Sequence, residues 1–355
     1  MSYEQYKSYF RSAIDGMSGY TPGEQPKVMN LIKLNTNENP YPPSPEVLKV
    51  LKEYDAERLR LYPDPLCDKL RDVIAETYGC ERENVIAGNG SDDILTIIFR
   101  SFTDSQHPVA CLEPTYSLYP VLAGIQGCNV NKIQFNEDFS LPDDLLEKAA
   151  SSNLLIITRP NAPTGNTFPL ADIRRICAEF DGIVLIDEAY ADFSDDNCLE
   201  LAFEFNNVIV SRTVSKSYSL AGLRLGFAFA CRELIEGMMK VKDSYSVDAL
   251  TQAIGAAAIA DQQYLQQTST KIRASRQVLS DELRKIGFDI VESQANFIFA
   301  APPHGEGEKI FKFLRGENII VRYFPGEITG KYIRITVGND EQNKALLEAL
   351  HRFYS

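Results

Sequence analysis

The chain has 355 residues, 44% of them hydrophobic, and a formal net charge of −13 at pH 7; it is long enough for a large domain with a smaller one beside it, and it lacks the basic footprint of a nucleic-acid or anionic-membrane partner. No apolar run approaches the ~20 residues of a spanning helix, and the opening MSYEQYKSYFRSAID has no apolar stretch of signal-peptide type, so the expectation is a soluble cytoplasmic protein acting on small molecules. Seven cysteines (67, 80, 111, 128, 177, 198, 231) without CxxC spacing argue against a disulfide framework or a zinc site, and His107, His304 and His351 stand in no metal or triad spacing.

Residues 1–30 read as a short helix followed by a Gly/Pro-rich arm, GYTPGEQP, too polar for a core of its own. After the turn-dense LIKLNTNENPYPPSP, residues 45–59 have helical periodicity with Val47, Leu48 and Leu51 on one face; RLYPDP breaks it, and a second helix spans about 66–78 and stops at Gly79. Strand-like runs then follow at 85–87, 109–112, 130–135, 154–158, 183–186 and 208–210, separated by helical stretches near 92–102, 116–125, 142–150 and 169–180. This alternation, with strands apolar throughout, predicts an α/β fold: a mainly parallel sheet covered by helices on both faces. Beyond about residue 246 come long amphipathic helices (248–260, 264–286), short strands (297–300, 318–322, 331–337) and a last helix (340–353), which predict a smaller α+β domain. The expected division is an arm over 1–30, a large domain over 31–245 and a small one over 246–355.

Lys216 carries the first chemical signal. It follows the β-branched run Val208-Ile209-Val210 and precedes Gly222 and Gly226, which break any helix, so it belongs at the C-terminal edge of a parallel sheet, where ligands collect. With Arg224 as a nearby cation and Thr213 and Ser215 beside it, the amine suits Schiff-base chemistry on an aldehyde that also carries a phosphate; alone, the same residues read as a solvated loop. AGNGSDDIL (87–95) is a glycine turn between strand and helix whose N–H groups at Gly90, Ser91 and Asp92 suit an anion, with Asp92 and Asp93 expected to point away, or else a tight turn capped by Ser91. It is neither a complete GxGxxG nor a Walker loop. In GIVLIDEAYADF, Asp187 ends a buried run and needs a cation, for which a protonated cofactor ring serves, with Tyr190 in reach of the same ring; a metal-binding or capping carboxylate is the alternative. RPNAPTGN presents Asn161 as a donor to a phenolate or as a purely structural loop residue, and Arg322 with Arg334 forms a carboxylate or phosphate clamp or a pair of surface salt bridges.

In their order along the chain these motifs resemble the aminotransferases of the aspartate-aminotransferase fold type, which use pyridoxal 5′-phosphate, over nearly the whole length. Within them TPGEQ, LNTNENPYPPSP, LYPDP, GNGSDDIL, EPTYSLYP, IDEAYADF and SKSYSLAGLRLGF look most like the histidinol-phosphate aminotransferases. The resemblance implies a seven-stranded sheet of fold type I, transamination between histidinol phosphate and 2-oxoglutarate with glutamate as product, and no metal. It implies that Lys216 holds the cofactor covalently and shuttles a proton, that Asp187 pairs with the ring nitrogen, that Asn161 and Tyr190 contact the ring oxygen, and that Tyr116 stacks on the ring. Gly90, Ser91, Asp92, Thr213, Ser215 and Arg224 would line the phosphate site. Tyr62 would reach that phosphate from the neighbouring subunit of a homodimer, and Tyr20, Asn37, Arg322 and Arg334 would hold substrate. One departure from the family loop is Ala162 in place of a second asparagine, with Arg159 before the proline; the cofactor contact of Asn161 is expected to survive it. An aromatic aminotransferase and a threonine-phosphate decarboxylase are the nearest alternatives. A non-catalytic cofactor-binding regulator is the alternative of another class, disfavoured because no DNA-binding extension precedes residue 1.

Overall fold

The computed structural model describes residues 9–25 and 31–355. Positions 1–8 and 26–30, both ends of the expected arm, lie outside the described residues; of the arm's helix, Ser12–Asp15 is described. The strands in chain order are β1 (Ile32–Lys33), β2 (Val85–Gly88), β3 (Val109–Glu113), β4 (Val130–Gln134), β5 (Leu154–Thr158), β6 (Ile183–Asp187), β7 (Val208–Thr213), β8 (Gly226–Phe229), β9 (Asp289–Val291), β10 (Phe297–Ala301), β11 (Ile319–Ile320), β12 (Arg322–Tyr323) and β13 (Ile333–Thr336).

Seven of them form the large sheet, ordered β2-β8-β7-β6-β5-β3-β4. Its inner strands are mainly apolar because both faces are covered, while edge strand β4 (VNKIQ) buries only Ile133, and the two-residue repeat of a strand divides the apolar side chains between two cores. Leu155 and Ile157 of β5 join Val184, Ile186, Val208 and Val210 under helices Asp68–Tyr78, Leu170–Glu179 and Ala249–Ala260. Leu154 and Ile156 face the other way, with Leu185 and Ile209, under helices Ser91–Phe102, Leu118–Gln126 and Arg232–Met239. At about 1.5–3 kcal/mol per buried aliphatic side chain, this double burial leaves the alternative registers uncompetitive.

The run-by-run reading found six strands of this sheet; the seventh, β8, lies where the sequence reads as a glycine break. GFAF inserts antiparallel between β2 and β7, with Phe227 and Phe229 toward one core and Ala228 toward the other. Gly226 is required there by close approach: a Cβ on it would sit 2.4 Å from Ser91 N and 2.5 Å from Gly90 C.

The smaller sheet is antiparallel, β12-β13-β10-β9, packed against helices Gln262–Ile286, Gly307–Gly316 and Asp340–Tyr354. The single strand expected over 318–322 is two: β11 pairs in parallel with β1, and Arg322 opens β12 opposite Arg334 rather than ending a strand. The cores also change hands later than residue 246. Helix Ala249–Ala260 buries Ile254 and Ala258 with the large sheet, and within helix Gln262–Ile286 Leu265 faces the large core while Ile272, Leu279 and Leu283 face the small one. The β1–β11 ladder and Leu34, buried in the small core, tie the start of the large domain to the small one.

Candidate active site

A cavity of about 510 Å³ lies at the C-terminal ends of β5, β6 and β7, walled by the small domain and by Tyr20, Pro22, Gly23 and Gln25 of the arm. The register that sets Thr158 beside Asp187, and Asp187 beside Ser211, brings three strand ends to one level. Lys216 follows β7 into this space, where its Nζ donates to Thr36 O at 3.1 Å and stands 5.8 Å from the Tyr190 ring centre. Behind it, Asn39 Nδ2 donates to the carbonyls of Lys216 (3.2 Å) and Ser217 (3.0 Å). Ser217 Oγ donates to Asp192, which pairs with buried Arg212, itself bound to buried Glu188. The lysine backbone is thus clamped while its amine reaches into the cavity.

Asp187 is 4% exposed; its carboxyl accepts from Tyr119 Oη (2.7 Å) and Ala189 N (3.2 Å). Burial raises its pKa from the ordinary aspartate value, against those hydrogen bonds, and no cation among the described residues pairs with it. A carboxyl so placed fits a ligand that brings its own positive charge, such as a protonated aromatic nitrogen.

Another part of the cavity wall suits an anion. Helix Ser91–Phe102 begins at Gly90, whose φ of +87° only glycine adopts freely, with no side chain capping the first N–H groups. Ser91 is therefore the first helical residue and not the cap. Thr213 Oγ1 donates to Ser215 Oγ at 3.0 Å, and the Arg224 guanidinium lies 3.4 Å from Ser215 Oγ and 3.5 Å from Asp92 Oδ2. Asp93 turns back to accept from Asn89 N, as expected, but Asp92 does not point away: it lines the cavity and accepts from Tyr116 Oη at 3.2 Å. Those two neighbours offset a carboxylate that would otherwise oppose an anion.

On the small-domain side, Arg334 Nη2 donates to Asn35 O (3.0 Å) and its guanidinium lies over Phe297 and Phe324, while its buried Nε has no partner. Arg322 reaches the carbonyls of Thr21 and Pro22 at 3.5 Å, holding the arm over the mouth. An orphaned guanidinium N–H beside a second arginine fits a carboxylate or phosphate.

Of the residues expected in the site, the structure brings Tyr20, Asn37, Ser91, Asp92, Tyr116, Asp187, Tyr190, Thr213, Ser215, Lys216, Arg224, Arg322 and Arg334 to one cavity wall, with Gly90 just behind the turn. Asn161 is not among them. Its Nδ2 donates to Pro114 O (3.0 Å) and Thr164 Oγ1 (2.7 Å) and its Oδ1 accepts from Thr115, so it is spent on the loop, and Ala162 and Pro163 form the wall instead. Tyr62 lies on the outer surface, 83% exposed and stacked on Tyr245. Tyr116 meets Tyr20 and Tyr119 edge-on. Sequence reasoning missed Tyr119, although EPTYSLYP places it three residues after Tyr116, in the first turn of helix Leu118–Gln126. Asn39 and Arg212 carried no local signal.

The family model for aminotransferase class I and II matches residues 29–350. A histidinol-phosphate aminotransferase of Nostoc is 44% identical over 97% of this chain and 97% of its own, and one of Microcystis aeruginosa is 44% identical over 96% and 97%. Among solved structures, the histidinol-phosphate aminotransferase of Sinorhizobium meliloti, in complex with pyridoxal-5′-phosphate, superposes with a TM-score of 0.91 at 23% identity, covering 99% of this chain and 98% of its own.

Proposed function

From the premise that the chain belongs to the class I and II aminotransferases, we propose that it exchanges an amino group between L-histidinol phosphate and 2-oxoglutarate, with pyridoxal 5′-phosphate as cofactor, in histidine biosynthesis in the cytoplasm. The observation that carries the chemistry is one cavity that holds a buried carboxyl with no cation paired to it among the described residues, an uncapped helix start and the Lys216 amine. A ring that is basic at one edge and phosphorylated at another meets all three demands.

When bound, the cofactor supplies a ring that accepts the electron pair left when a proton departs from an amino donor's Cα. Asp187 holds the proton on the ring nitrogen. Ser91 and Asp92 present backbone N–H groups to the phosphate, with Thr213, Ser215 and Arg224 around it, while Gly90 N is spent on Gly88 O at 2.9 Å and shapes the turn. Lys216 Nζ moves the proton at the donor's Cα, its travel limited by the clamped backbone. Arg334, with an N–H still unpaired, and Arg322 hold the anionic end of each substrate, phosphate in the donor and carboxylate in the acceptor. Tyr20 and the arm exclude water from the mouth.

The exposed apolar side chains Leu48, Leu51, Leu59, Leu61, Tyr62 and Leu66 support a homodimer in which this face meets a second copy and Tyr62 reaches the partner's phosphate site. Donor profiling of purified protein with 2-oxoglutarate tests the reading: turnover should be fastest with histidinol phosphate. Faster turnover of phenylalanine, or decarboxylation of threonine phosphate, would replace it with a sister activity.

A further inference from the structure

Tyr190 lines the cavity, and its hydroxyl accepts a hydrogen bond from Asn37 Nδ2 at 2.9 Å. An amide nitrogen only donates. The tyrosine proton must therefore leave in another direction, and no other hydrogen bond of that hydroxyl is present among the described residues. The orientation of the Asn37 amide is fixed in turn. Thr336 Oγ1 takes the Asn37 backbone N–H (3.0 Å) and gives its own proton to Asn37 Oδ1 (3.1 Å), while Asn296 Nδ2 donates to Asn37 O (3.0 Å). Asn37, Thr336 and Asn296 are all buried, and Asn37 has a φ of +57°, which asparagine tolerates better than most residues. Thr336 stands two residues beyond Arg334 on β13. On the other side of the wall Ala162 offers a methyl group, since the Asn161 amide is committed to its own loop.

We propose that Asn37 and Thr336 are positioning residues: they make Tyr190 a one-way donor to the ring oxygen of the cofactor, the contact for which this chain's Asn loop supplies no side-chain partner. The proposal rests on the cofactor reading above. Asn37 thereby serves Tyr190 with one of its amide N–H groups.

A donor on the ring oxygen draws charge from it and makes the neighbouring lysine-linked nitrogen easier to deprotonate. Losing that donor raises the pH midpoint of the holoprotein's visible absorption band. Asp187, Asp92, Arg224, Arg322 and Arg334 face the same cavity and are unchanged in every variant. Tyr190→Phe should raise the midpoint by about one pH unit or more, the worth of one hydrogen bond to a charged oxygen. Asn37→Ala should raise it by roughly half a unit, and Thr336→Val, which keeps the size of the side chain, should act in the same direction. Ala162→Asn, which adds a donor on the wall, should lower it. The decisive comparison is the double variant: Asn37→Ala in the Tyr190→Phe background should move the midpoint no further. An Asn37→Ala shift of equal size with and without Tyr190, or midpoints unmoved by both Asn37→Ala and Thr336→Val, overturns the proposal while the wild-type band stands. A wild-type protein that forms no visible band with pyridoxal phosphate sinks the cofactor reading itself, and the proposal with it.

Discussion

Asp187→Asn separates the charge of that side chain from its shape. The carboxyl is buried with no cation paired to it among the described residues, and its pKa is raised by that burial. A group of this kind binds a proton more readily folded than unfolded. The cofactor-free protein therefore loses stability as pH climbs from the ordinary carboxylate range through the raised value, and the loss is complete above it. Asparagine removes the charge and keeps the hydrogen bonds: its oxygen can accept from Ala189 N, and its amide can donate to Tyr119 Oη, whose proton turns to Thr158 Oγ1 at 2.7 Å. At about pH 8 the cofactor-free variant should melt no lower than wild type, and higher by up to the ~1–3 kcal/mol that an unpaired buried group costs. With cofactor the sign reverses, because the ring nitrogen loses its counter-charge. Affinity should fall ten- to hundredfold, roughly 1.4–2.7 kcal/mol, and the melting gain on adding cofactor should shrink accordingly. Thermal melts with and without pyridoxal phosphate, at about pH 5 and about pH 8, measure both halves. A cofactor-free variant that melts well below wild type at the higher pH, with an undiminished gain from cofactor, would refute the reasoning.

Gly226→Ala should displace the anion turn, since its Cβ has backbone atoms at 2.4–2.5 Å; a loss of about 1–3 kcal/mol in stability and weaker cofactor binding are expected. Gly222→Ala, with nothing within 4 Å, is the control, and equal behaviour of the two would show that the close approach is unimportant. Mixing Lys216→Ala with Tyr62→Ala protein should restore activity to about a quarter of wild type by random subunit exchange, because one site in each mixed dimer is whole; no recovery after verified exchange would place Tyr62 outside the partner's site. Arg334→Lys should raise KM for both anionic substrates about tenfold or more with a smaller change in kcat, through loss of the planar fork. Equal KM values would remove the clamp from the mechanism.

The layered fold was legible because its strands are short apolar runs set between helical periods, the pattern that double coverage imposes. β8 escaped for the same reason in reverse. Its first residue is a glycine, required by how closely the anion turn presses on it, and only three residues with the strand alternation follow, too short a run to read as a strand. The boundary near 246 rested on a change of texture from strand to helix, yet texture does not say which core a helix joins. Helix Ala249–Ala260 belongs by its buried face to the large sheet.

In the site, residue types were legible and directions were not. Lys216 and Asp187 announce themselves because a strand end fixes where a side chain goes. Asn161 sits in a loop, where the amide turns toward whichever acceptors lie nearest, and Pro114 O and Thr164 Oγ1, brought in by another loop and by its own, outcompete the cavity. Asp92 errs in the opposite sense. A carboxylate in the first turn of an anion-binding helix should turn outward when only the helix is considered. Tyr116 Oη and Arg224, from two distant segments, instead give it a reason to face inward. The anion site is therefore not the bare helix start that the motif suggests: its field is the difference between the N–H groups with Arg224 and a carboxylate that shares that arginine. A phosphate arriving there must compete with Asp92 for Arg224, and Asp92→Asn should tighten cofactor binding if that competition costs more than the Tyr116 hydrogen bond contributes.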